Sequence, residues 1–261
     1  MAERAYNIAV TWKLGELGMV GFRRALALAV LGFFGTIYTL MTIGMEGPWM
    51  RPFLGLALCY GVAFFGVAAG WFWGRWFANG LGWSGVMLAA FGMAMMGWQP
   101  ALAIYGGLHA LVVAGLYGTN MAALFEGQAD WRKRWQMGDP AVQRLGRAVT
   151  RAGASLPSLI LWALAPREEP GRLLVLMVAL LGLWGLLRLR TWGALAIGAA
   201  GAAALLMAGP WPVPANGVFW ALEGTRAIAA AAPMTVVVPG LMLLAFLPFV
   251  VPVARFLGRE R

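Results

Sequence analysis

The amino-acid sequence predicts an all-helical, polytopic membrane protein of about eight transmembrane helices, and three observations carry that prediction. Of the 261 residues, 61% are hydrophobic and only 11% charged, with a mean hydropathy of +0.75. Soluble chains instead run at about 45–50% apolar and about 25% charged. The apolar residues fall in runs of the length that crosses a hydrocarbon layer of about 30 Å. Tryptophan, proline and arginine punctuate the runs, as they do at membrane interfaces.

Residues 1–24 form an N-terminal interfacial segment. Tyr6, Ile8, Val10, Trp12, Leu14 and Leu17 mix there with Glu3, Arg4, Lys13 and Glu16, too polar to span and apolar enough to lie on a surface. The apolar run begins only after Arg23 and Arg24 and is longer than the core of a secretory signal. A first membrane half, residues 25–125, then holds four helices. They cover about 25–45, ending at Glu46 and Trp49; 52–74, ending in Trp71, Trp73, Arg75 and Trp76; 78–97; and 101–125, entered through Trp98 and Pro100.

Residues 126–151 make a basic cytoplasmic linker. Arg132, Lys133 and Arg134, flanked by Trp131 and Trp135, are expected to press it against anionic lipid headgroups. The second half, residues 152–254, begins with 152–166, whose fifteen or so apolar residues fall short of the about 17–25 a spanning helix needs. Clear runs follow at about 171–187, 191–208 and 233–254, with an interfacial segment near 216–230 and a cytoplasmic tail at 255–261. The small-residue helix at 191–208 is expected to sit centrally in its bundle.

Charge decides whether 152–166 crosses, because positively charged loops stay cytoplasmic. If it crosses, eight spans put 16 of the 20 Lys and Arg residues inside, leaving Arg51, Arg167, Arg172 and Arg226 outside. If it does not, the alternative of seven spans gives 14 against 6. Eight spans with both termini cytoplasmic, in what we expect is a bacterial inner membrane, therefore fit better. The net charge of +10 then reports topology and lipid headgroups rather than nucleic acid. The halves also share a pattern in which Arg75, Gly80 and Gly85 parallel Arg188, Gly193 and Gly198, the spacing expected of a tandem, same-orientation duplication of four helices.

Several functions are disfavoured. A single cysteine, Cys59, excludes an internal disulfide and a cysteine-cluster metal site. No acidic or basic residue lies near the middle of a span, where pumps and ion-coupled carriers hold charge. Neither Lys13 nor Lys133 lies in a span where it could bind retinal, and neither follows the glycine of a phosphate loop. Gly80, Gly82 and Gly85 match the dinucleotide fingerprint but sit in an apolar span, where small residues let helices approach closely. Gly70, Gly74, Gly198 and Gly201 read in the same way.

His109 is the sole histidine, mid-span, with Tyr105 four residues before it and Tyr117 eight after. It is expected to be neutral and hydrogen-bonded to a hydroxyl or carbonyl on a neighbouring helix. Contact with a pigment or haem, with Met93 or Met95 as a second ligand, is the competing reading. Glu126, Asp130 and Asp139 read as a solvated surface neutralised by Arg132, Lys133 and Arg134. The expected function is a non-catalytic integral subunit or scaffold that packs against other membrane proteins, lipid or a hydrophobic pigment. No cofactor and no catalytic residue is expected. A transporter or channel for a neutral or hydrophobic solute is the alternative, using Tyr60, Asn79, His109, Thr119 and Asn120. A membrane-embedded enzyme acting on a lipid is the second alternative.

Overall fold

A computed structural model describes residues 18–126, 139–165, 170–207 and 237–250. Among the described residues the regular structure is entirely helical. The elements are α1 (Met19–Gly44), a 3-10 turn (Gly47–Trp49), α2 (Met50–Ala68), α3 (Gly74–Met96), α4 (Pro100–Leu116), α5 (Thr119–Glu126), α6 (Asp139–Leu164), α7 (Pro170–Leu187) and α8 (Thr191–Met207). The last is α9 (Val237–Val250).

Four of the described helical stretches are long and apolar enough to cross a membrane: α1, the turn with α2, α3 and α7. They become five if α4 and α5, bent by 71° at Tyr117 and Gly118, count as one span. By length and hydropathy, the described residues thus reach four to five spans rather than about eight. α8 and α9 are apolar but shorter, and α6 is too polar along its first half. Large apolar side chains such as Phe33, Leu58, Phe65, Ile104, Leu181 and Leu206 face outward. Such a surface suits lipid and would aggregate in water.

Local boundaries differ from the expected ones for identifiable reasons. Met19–Arg24 are already helical, so the end of the expected interfacial segment is the first turn and a half of α1. Its two arginines are accommodated because helix ends leave carbonyls without intrahelical partners. Arg24 donates to Val67 O at 3.1 Å and Ala68 O at 2.7 Å at the end of α2. Arg23 donates to Ala114 O and Tyr117 O at the end of α4.

The segment 152–166 is not a short isolated span, because α6 runs unbroken through Arg151 and through Pro157. Arg144, Arg147 and Arg151, spaced along one face, leave Val142, Leu145, Ala148, Val149 and Ala152 buried on the other. A 26-residue helix is about 39 Å long, so the apolar stretch continues one long helix rather than forming a separate element of about 22 Å. Residues 152–160 are buried almost all round, against α3, α2 and α7. Among the described helices α6 thus takes the central place expected of 191–208. α8 instead packs one face against α7 and α9, leaving Leu195, Leu205 and Leu206 exposed.

Two helical hairpins share one geometry. In α2–α3, Gly70 N–H donates to Val67 O and Trp71 N–H to Gly66 O; in α7–α8, Leu189 N–H donates to Leu186 O and Arg190 N–H to Gly185 O. Each pair is the six-to-one and five-to-two bonding that closes a helix on a left-handed residue, here Gly70 (φ +68°) and Leu189 (φ +61°). The returning helix then lies on a glycine. A Cβ on Gly74 would stand 2.4 Å from Gly66 O, and one on Gly193 would stand 2.6 Å from Gly185 C. Trp73 closes over Gly66 as Trp192 closes over Gly185. The structural register of the likeness is therefore Gly66, Trp73 and Gly74 with Gly185, Trp192 and Gly193. Arg75, which begins α3, does not correspond to Arg188, which follows α7.

The helix directions alternate. α3 returns antiparallel to α2, and α4 to α3, since Gly82 meets Val113, Gly85 meets His109 and Gly92 meets Leu102. α6 runs parallel to α3, with Gly146 against Trp76 and Gly153 and Ala154 against Gly80. α9 returns along α8, with Gly198 against Phe246 and Gly201 against Met242. Chain directions then gather Arg23, Arg24, Arg75, Arg144, Arg147, Arg151, Arg188 and Arg190 toward one end of the bundle and leave Arg51 and Arg172 at the other.

Candidate functional site

The best candidate is a buried polar cluster where α1, α2, α3 and α4 meet. His109 and Tyr60 are each 1% exposed. His109 Nδ1 lies 2.8 Å from Tyr105 O one turn earlier in α4. A carbonyl can only accept, so Nδ1 carries the ring hydrogen. Nε2 must then accept the hydroxyl hydrogen of Tyr60 from α2, 2.6 Å away. The Tyr38, Tyr60 and Tyr105 hydroxyls converge beside this bond. Phe34 covers the imidazole at a centroid distance of 4.2 Å and Tyr105 at 4.3 Å.

Glycine makes room for the ring. A Cβ on Gly85 would lie 2.1 Å from His109 Cγ, and one on Gly82 would lie 3.1 Å from His109 O. Three residues apart, these two share a face of α3. Gly80 points the other way, where a Cβ would stand 2.5 Å from Thr150 O of α6. The fingerprint-like glycines thus serve helix contact. Gly74, Gly198 and Gly201 do the same, but Gly70 does not: it occupies the left-handed turn position, and the glycine that meets Gly74 is Gly66.

Of the pathway candidates, only Tyr60 and His109 come together. Asn79 stands on α3 four residues after Arg75, its Oδ1 buried with no hydrogen-bond partner among the described residues. Thr119 and Asn120 are exposed at the start of α5, beyond the end of α4, as is Tyr117. Arg132, Lys133 and Arg134, the 216–230 segment and the 255–261 tail lie outside the described residues.

Chemically the cluster is closed. Both imidazole nitrogens are engaged, and a metal at Nε2 would have to displace Tyr60. Among the described residues no group of three or more His, Cys, Asp or Glu could hold a metal ion. Beside it, a groove of about 380 Å³ opens on the outer side of α1 and α2, lined by Gly32, Gly35, Thr36, Gly61 and Phe64 and reached from the inside by Tyr60.

A second constellation escaped the sequence reading. Glu126 accepts from Arg75 Nε at 3.0 Å, from Arg75 Nη2, and from Trp76 Nε1 at 2.7 Å, while Arg75 Nη1 reaches Leu116 O at 3.2 Å. Glu126 is therefore a part-buried anchor tying α5 to α3, not a solvated surface charge. No local signal exposes this pair, since 51 residues separate its members. Phe34 and Tyr38 were missed as well. For Tyr105, its i to i+4 spacing from His109 was the available signal.

Comparison with known protein families, characterised proteins and solved structures found no match.

Proposed function

We propose that the chain is a non-catalytic integral membrane subunit that docks a transmembrane helix of another protein in the groove between α1 and α2. The observation that carries this reading is the contrast between a closed interior and an open, small-residue exterior. The polar cluster satisfies itself, whereas Gly32, Gly35 and Gly61 leave a lipid-facing channel, and a Cβ on Gly61 would touch nothing within 4 Å. In lipid, where burial does not drive association, stripes of small residues are where helices meet closely.

The topology that goes with this reading is eight spans in two tandem four-helix halves, α1–α4 and α6–α9, with both termini and the 126–151 linker in the cytoplasm. The alternating helix directions, the repeated hairpin and the gathering of eight described arginines toward one end support it. Mild-detergent purification tests the function. A subunit brings a stoichiometric partner, which Gly61→Leu displaces without lowering the chain's own thermal stability. A chain that runs alone or as a homo-oligomer, unaffected by Gly61→Leu, overturns the reading. The unsatisfied Asn79 Oδ1 favours the solute-carrier alternative, in which uptake of a neutral solute would fail in Asn79→Leu.

A further inference from the structure

Where the α7–α8 turn approaches the α2–α3 turn, a cavity of about 500 Å³ opens at the arginine-rich end of the bundle, lined by Phe72, Trp184, Arg188, Leu189, Arg190 and Trp192. We infer that this cavity binds the phosphodiester headgroup of an anionic phospholipid, gripped by Arg188 and Arg190 with its acyl chains descending the outer face of α7.

The two hairpins differ in what the arginines beside them hold. In the first half, the arginines at this end are engaged within the protein: Arg23 and Arg24 hold the carbonyls that end α4 and α2, and Arg75 holds Glu126. In the second half, the turn places arginine where the first has Ala69 and Trp71. Among the described residues neither guanidinium bonds to a carbonyl or carboxylate, and both are exposed. Arg188 is held over the Trp184 ring at 5.4 Å, and Trp184 lies 6.0 Å from Trp192. Two forked donors poised at the rim of an aromatic cavity suit an oxyanion with several acceptor oxygens. The apolar walls select for a lipid, because Leu180, Leu181 and Trp184 continue outward from the cavity on the exposed face of α7. A free phosphate would gain nothing from them.

The test uses the full chain in an uncharged detergent, its thermal unfolding followed as phosphatidylglycerol, phosphatidylcholine or inorganic phosphate is titrated in. Phosphatidylglycerol should raise the melting temperature saturably, and the other two should not. Arg188→Gln with Arg190→Gln should weaken the response by about fivefold for each arginine removed. Arg147→Gln, which removes as much charge as either single substitution but from an exposed position on α6, should leave it intact. An equal response to phosphatidylcholine, or an undiminished one in the double variant, overturns the site. A response to inorganic phosphate alone assigns it to a free anion and overturns the lipid. Should the double variant fail to fold, Trp184→Leu removes the exposed ring beneath Arg188, and unweakened binding there refutes the proposal equally.

Discussion

Replacing Gly85 by Ala tests the interior most directly. A methyl at this position would stand 2.1 Å from His109 Cγ and 2.2 Å from Cδ2, where an ordinary contact begins near 3.4 Å, so the ring must retreat by about 1.3 Å. It has nowhere free to go. Phe34 lies over it at 4.2 Å, and its two nitrogens are bound on opposite edges to Tyr105 O and Tyr60. Overpacking of this kind costs about 1–3 kcal/mol, and one lost interhelical hydrogen bond in a bilayer adds about 0.6 kcal/mol. The expected loss is therefore about 2–3 kcal/mol, read from unfolding in mild detergent. Gly107→Ala is the control, since a Cβ there meets nothing within 4 Å. His109→Ala alone leaves a cavity and strands the Tyr60 hydroxyl, at about 2–3 kcal/mol. Combining Gly85→Ala with His109→Ala lets the methyl enter the vacated space, so the double variant should lose at least about 1 kcal/mol less than the sum of the singles. An unperturbed Gly85→Ala, or additive losses, would refute the cradle.

His109→Gln, able both to donate and accept, should leave assembly nearly intact, while His109→Leu, which strands the Tyr60 hydroxyl but leaves no large cavity, should cost modest stability, about 1 kcal/mol and less than His109→Ala. A coloured wild type bleached by His109→Gln would instead make the imidazole a cofactor ligand. Gly74→Ala and Gly193→Ala, each driving a methyl to 2.4 Å from backbone, should destabilise to a similar degree, by roughly 3 kcal/mol; sensitivity at only one of them would argue against equivalent hairpins. For the topology, reporter fusions after residues 135 and 261 should show the same sidedness, and opposite signals would restore seven spans. Single cysteines at 143 and 168, in a Cys59→Ala background, should label from opposite sides of the membrane.

The residues themselves were enough to assign this chain to the membrane and to locate most of its apolar helices, because the bilayer acts on each segment separately. Hydropathy, interfacial tryptophans and arginine placement are properties of a local stretch, so α2, α3, α7 and α8 fall close to where the runs of Leu, Ala and Gly predict them. His109 stood out for the same reason, as a polar ring in an apolar stretch. The exceptions are instructive. Residues 139–151 read as a linker because arginines recur along them, yet one face of that stretch is apolar and continues into the buried helix beyond. The tertiary structure alone decided who meets whom. Tyr60 is separated from His109 by 49 residues and Glu126 from Arg75 by 51. The repeat register rests on Gly66 and Gly185, whose role appears only once a second helix lies on them. In lipid, nearly every surface is equally apolar, so hydrophobicity cannot choose between partners. The choice falls to shape, to the few polar groups that must bond to each other, and to where the absence of a side chain lets two backbones touch.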